Sequence, residues 1–148
     1  MTQLTEQEAR QMIAVVNTRN VDKVLEQYAD DATYQIPTQN APLHGKTAIR
    51  GFLTSSFQAF PDWTLDVKNV YVSDHDFVVL NSVHGTHKGP ITAQDGKSIA
   101  PTNKKFVQEQ MARVVLNDSG KIQSFRAYGI ASDLNEQLGI VRQIALAP

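Results

Sequence analysis

The sequence predicts an α+β fold in which a strongly curved antiparallel sheet forms a cone against helices gathered at the N-terminal end. Three observations carry this. Apolar residues recur at helical spacing as far as Pro61, β-rich runs fill most of the chain beyond it, and turn signals such as "SDHD" and "NDSGK" separate those runs.

Thr5 and Glu8 stand in capping-box spacing ahead of Ala9, Met12, Ile13 and Val16, which share one stripe of a helix over residues 5–19. Asn20 is placed to cap a second, short helix through Val21, Val24, Leu25 and Tyr28. "DDATYQIP" reads as a short strand stopped by Pro37, and "TQNAPLH" as a polar loop. From Gly45, a third helix places Ile49, Phe52, Leu53, Phe57 and Phe60 near helical period and stops at Pro61. "WTLDVKNVYV", "DFVVLNSVHGTH", "KKFVQEQMARVVL" and "KIQSFRAYGI" are then strands long enough to curve, and Ser132 caps a last short helix ended by Gly139. Residues alternating inward along such strands line whatever cavity the cone keeps.

A chain of 148 residues fits one domain, residues 1–148. Fourteen basic residues against fifteen acidic ones, with no basic cluster, give no electrostatic footprint for nucleic acid or an anionic membrane. The absence of cysteine removes disulfides, thiolate nucleophiles and thiolate metal sites. "MTQLTEQEARQM" has no apolar signal core and no run approaches the ~18 apolar residues of a membrane span, so a cytoplasmic location is expected. Near the C-terminus, Ile140, Val141, Ile144 and Leu146 are too apolar for a free tail and are expected to pack on the same subunit or a partner.

The motifs "YADDATYQIP", "HGKTAIRGFL", "FPDW", "GTHKGP", "SGKI" and "QLG" fall in the order found in SnoaL-like proteins, and over residues 8–140 the chain resembles this polyketide cyclase family of the nuclear transport factor two-like superfamily. The resemblance implies a cone with an apolar pocket, a cystatin-like α+β barrel usually found as a homodimer, and relatives that include cyclases, ketosteroid isomerases and epoxide hydrolases. It also exposes gaps. Where SnoaL-like cyclases carry an acidic base at the end of the last strand, this chain has Ile130, and their partner histidine corresponds to Gln110. The base that ketosteroid isomerases hold before the proline after "ADDAT" corresponds to Ile36. A positioned general base contributes about 10²- to 10⁴-fold, so neither mechanism transfers unchanged.

Strand alternation suggests what remains. If position 130 faces inward, so do Tyr128, Arg126, Ser124 and Ile122, with Phe125 and Ala127 outside; on the preceding strand Gln108, Gln110, Ala112 and Val114 face in. Arg126 either holds a substrate oxygen or forms a salt bridge at the cone mouth, and Tyr128 either polarises a substrate oxygen or fills the core. Gln108 and Gln110 bind ligand or form a network, while Tyr34 and Trp63 are core or pocket wall. His84 and His87 point to opposite faces of one strand, which excludes a shared metal ion. His87 is either a pocket imidazole or a turn-stabilising hydrogen-bond partner, and Asp62 either a base or a turn organiser. "HGKT" imitates a phosphate loop but has Asn40 where the first glycine belongs.

The expectation is an enzyme performing cyclisation, isomerisation or related proton transfer on an apolar oxygenated, polyketide-like molecule. His87 and Tyr128 are the catalytic candidates, and Tyr34, Ile36, Asp62, Trp63, Gln108, Gln110, Arg126 and Ile130 are the pocket candidates. No cofactor or metal is expected, and a homodimer is. The alternative is a small-molecule-binding or assembly module that has lost its acid-base residues.

Overall fold

A computed structural model of the chain describes residues 3–92, 96–129 and 131–139. Ile130 and the apolar Ile140, Val141, Ile144 and Leu146 lie outside the described residues, as do the side chains of Ser132 and Asp133. Helix α1 (Glu6–Ala14) starts at a complete capping box, in which Thr5 Oγ1 accepts the Glu8 N–H at 3.2 Å and Glu8 Oε2 accepts the Thr5 N–H at 2.8 Å. Its buried Ala9 and Ile13 face the sheet, and a 3₁₀ turn over Val15–Thr18 ends it. Asn20 caps α2 (Val21–Leu25) as its sequence position predicts.

Tyr28, expected in that helix, instead opens strand β1 (Tyr28–Gln35). The reason lies at the end of α2. The Gln27 carbonyl accepts the Ile122 N–H at 2.7 Å and the Glu26 carbonyl accepts Lys121 Nζ at 2.7 Å, so the chain is pinned to the start of the last strand. Two strands that begin at one point run the same way. Accordingly β1 pairs in parallel with β8 (Ile122–Tyr128), a departure from the fully antiparallel sheet expected. Short β2 (Leu43–His44) leads into α3 (Gly45–Ala59), where Gly45 takes φ 84°, a turn conformation open to glycine.

Strands β3 (Thr64–Val72), β4 (Asp76–Thr86), a small β5/β6 hairpin (Ile91–Thr92 with Ser98–Ile99), β7 (Lys105–Leu116) and β8 follow, and α4 (Ala131–Leu138) closes the described chain, with Gly139 at φ 70° ending it. The main sheet has the order β2-β1-β8-β7-β4-β3. Its inner face packs on the helices through Phe77, Val79 and Val83 of β4, Val114 and Leu116 of β7, and Ile49 and Leu53 of α3. Each such side chain contributes about 1.5–3 kcal/mol of burial. Two strands carry one extra residue, Lys68 in β3 and Gln123 in β8, and such bulges bend and twist a sheet. Among the described residues no helix is long and apolar enough to cross a membrane.

Candidate functional site: an amide-lined chamber

β4 and β7 pair residue for residue, with Asn81 opposite Gln110 and Val83 opposite Gln108. This brings three carboxamides to the inner face. Gln110 Nε2 donates to Gln108 Oε1 at 3.1 Å. Asn81 is 3% exposed, and its Nδ2 has no hydrogen-bond partner. Gly129 lies above the pair: a Cβ there would stand 3.7 Å from Gln108 Nε2 and 3.8 Å from Gln110 Cγ. Beyond it opens a mouth of about 300 Å³ lined by Ile36, Pro37, Gln39, Arg126, Tyr128 and Gly129. There Gln39 Oε1 accepts the Ile36 N–H at 3.0 Å, while its Nε2 is buried without a partner. The inner-face cluster and the depression beside it together present two buried NH₂ groups without a hydrogen-bond partner, Asn81 Nδ2 and Gln39 Nε2.

Arg126 and Tyr128 depart from their expected direction. Val115 pairs with Ser124 but Leu116 with Ile122, so Gln123 is an extra residue and the alternation inverts after it. Phe125 turns in and stacks on Tyr34 with centroids 4.9 Å apart, and Ala127 is buried. Arg126 and Tyr128 turn out, the guanidinium 5.0 Å from the centre of a ring that is 43% exposed. They line the depression beside Gly129 and do not reach the inner face. Tyr34 lies in the core between Phe52 and Phe125, and half-buried Trp63 packs edge-on to Phe57. Burial pushes the Tyr34 hydroxyl far above the ordinary tyrosine range, so it stays neutral.

His87 and Asp62 sit elsewhere. His87 lies just past the end of β4, six residues after Asn81, roughly 20 Å away at about 3.3 Å per residue. Its ring is fully buried against Phe60, and Nδ1 accepts the Thr102 N–H at 3.2 Å with Thr102 Oγ1 at 3.1 Å. That arrangement requires Nδ1 to be unprotonated and leaves the proton on Nε2, which has no partner. Desolvation lowers the imidazole pKa, partly opposed by the Gly89 backbone. Next to it Gly89 is wedged so tightly that a Cβ would collide with the Gln58 carbonyl. Asp62 receives the Thr86 N–H and hydroxyl, each at 2.7 Å. Desolvation raises its pKa, but those bonds, its own backbone and Lys88 outweigh this and hold it below the usual value.

Sequence reading overlooked Asn81 and Gln39. Asn81 had a signal, since it occupies an inward step of the alternating run "FVVLNSV" where every other inward residue is apolar. Gln39 sits in a loop with no periodicity to mark it. Ile130 lies outside the described residues.

A SnoaL-like domain family profile matches residues 9–125, spanning α1 to β8. This chain belongs to the SnoaL-like domain family. No curated protein matches it. Among solved structures, a candidate SnoaL-like polyketide cyclase from Jannaschia sp. CCS1 superposes with TM-score 0.74 at 16% identity, covering 96% of this chain and 100% of that one. IdmH, a candidate polyketide cyclase from Streptomyces antibioticus, gives 0.68 at 20%, covering 88% and 97%. SalBIII, an epoxide hydrolase/cyclase-like enzyme of pyran ring formation in the polyether salinomycin, gives 0.70 at 20%, covering 86% and 95%. At these identities the likeness is one of fold. Fold alone does not carry chemistry over, and the inner-face amides are this chain's own.

The His87 hydrogen bonds fix a sign for pH dependence. The unfolded chain binds this proton with a pKa near 6.5 and the folded chain only at lower pH, so stability rises with pH through that window and is lost on acidification below it. Urea unfolding at pH 7, 6 and 5 is expected to show falling stability. His87→Asn, which keeps an acceptor for the Thr102 N–H, should flatten the slope. Equal stability of the wild type at pH 7 and 5 would contradict the assignment.

Proposed function

We propose that this SnoaL-like protein is a small-molecule pocket enzyme that promotes cyclisation, isomerisation or a related proton transfer in an apolar, oxygen-bearing substrate, using neutral amide donors in place of a carboxylate base. The carrying observation is the buried Asn81 Nδ2, without a partner beside the Gln110–Gln108 pair. A buried donor left unpaired costs about 1–3 kcal/mol, a cost that a ligand oxygen removes on binding. Held in a low-dielectric site, such donors stabilise negative charge developing on a carbonyl or phenol oxygen. Among the described inward-facing residues of the chamber none is ionised: Asn81, Gln108 and Gln110 are amides, and Tyr34 is held neutral. The proton moves within the substrate or through water, and the oxygen is where the protein acts.

The distance of roughly 20 Å from Asn81 to His87, at about 3.3 Å per strand residue, favours a second reading in which the chamber binds without turnover. Two measurements separate the readings. 2-Acetylnaphthalene is expected to bind more tightly than 2-isopropenylnaphthalene, which lacks the oxygen, and Asn81→Leu should erase about tenfold of that preference. An enzyme also speeds α-proton exchange of the bound ketone into D₂O, followed by NMR, whereas a binder leaves it at the solution rate. Equal affinity for both compounds sinks the chamber assignment itself.

The same reading includes a homodimer formed through the outer face of the sheet. One cross-strand row there runs Leu80, Met111, Tyr128, and Tyr71, Val107, Met111 and Tyr128 are exposed by 60%, 59%, 43% and 43%. Apolar side chains so displayed on a sheet are costly unless covered. Sedimentation should give a dimer at micromolar concentration and a monomer for Met111→Glu; a monomeric wild type would refute it.

A further inference from the structure

At the far end of β4, away from the chamber, a second depression of about 600 Å³ is lined by Pro61, Asp62, Thr86, Lys88, Asn103 and Lys105. Its size falls within the about 300–1,000 Å³ of small-molecule sites. We propose that it binds a small organic monoanion, a carboxylate carried on an apolar body, between Lys88 and Lys105. This stands on residues that the chamber does not share, so either proposal survives the failure of the other.

Charge selects the ligand. Among the described residues neither Lys88 nor Lys105 forms an ion pair, unlike Lys68, which pairs with Glu109 at 2.6 Å, and half-buried Lys46, which pairs with Asp30 at 3.5 Å. The carboxylate in the depression, Asp62, is already turned to Thr86, with both oxygens accepting bonds. Two ammonium groups against one carboxylate leave a single positive charge, which a monoanion neutralises. A phosphate dianion would carry surplus charge close to Asp62. Charge-assisted bonds from two ammonium groups suit the two oxygens of a carboxylate.

The frame is rigid although the lysine tips are free. Lys105 lies opposite Thr86 in the β4–β7 register. The Lys88 N–H donates to the Ala59 carbonyl at 2.9 Å, and Asn103, at φ 57°, donates its N–H to the His87 carbonyl at 2.9 Å. The Asn103 carboxamide makes no bond among the described residues and is positioned to donate a third hydrogen bond. Pro61 and the lysine stems supply apolar wall. Such a surface accepts a ring bearing a carboxylate.

The test is a ¹H–¹⁵N NMR titration of the full chain at low salt with 2-naphthoate, 2-naphthyl phosphate and 2-naphthamide. For 2-naphthoate, saturable shifts are expected at the Thr86 and Asn103 amides, with Kd about 1 mM or tighter. The affinity should fall about tenfold in Lys88→Gln and in Lys105→Gln, and weaken with salt. The phosphate should bind more weakly and the amide not at all. The spectra of the variants also report that they fold. Shifts that survive both substitutions, equal binding of the amide, tighter binding of the phosphate, or no saturation would overturn the assignment.

Discussion

Between Ile122 and Ser124 the β7–β8 ladder takes in one more residue on β8 than on β7, and the chemistry available inside the cone depends on that residue, Gln123. Side chains on a strand change face at every step, so one inserted residue exchanges the inner and outer sets for the rest of the strand. Phe125 and Ala127 go to the core, Arg126 and Tyr128 to the surface. The insertion is anchored. Gln123 Nε2 donates to Asp31 Oδ1 at 3.0 Å, and Asp31 lies in the stretch of β1 between Tyr28 and Thr33 where the β1–β8 register also shifts. Two irregular strand segments, side by side in parallel, hold each other in place.

With arginine and tyrosine on the outer face, β4 and β7 determine which polar groups the inner face presents. Their pairing sets Asn81 against Gln110, and carboxamides keep the same charge across the physiological pH range. A chamber of this kind can orient and polarise an oxygen. A positioned general base contributes about 10²- to 10⁴-fold, and Asn81, Gln108 and Gln110 cannot supply one. His87 and Asp62 stand at the C-terminal end of β4, already engaged in holding the Thr102 and Thr86 backbones.

How much of this the sequence shows depends on how local the cause is. The capping box at Thr5 and Glu8, the cap at Asn20 and the stripe from Ile49 to Leu53 are set by neighbours within a turn or two, and each is readable. Inward placement of Gln108 and Gln110 is readable too, because β7 keeps strict alternation from Phe106 to Val114. The bulge at Gln123 is not, since the partner that its side chain bonds, Asp31, is far away along the chain. Tyr28 behaves likewise: its apolar spacing continues α2, and the Gln27–Ile122 bond makes it a strand. The full burial of His87 follows from Phe60 and Thr102, which only the folded chain brings together.

The inverted parity of β8 is the central claim, and contacts across the β7–β8 pair test it most directly. In a NOESY spectrum with labelled alanine methyl groups, Ala112 and Ala127, partners in the register, should give a strong cross-peak, and the Phe125 ring should give cross-peaks to Tyr34. Cross-peaks from the Tyr128 ring to the Ala112 methyl and the Gln110 side chain, with the Ala112–Ala127 peak absent, would show that the strand keeps simple alternation and that the chamber is lined by other groups.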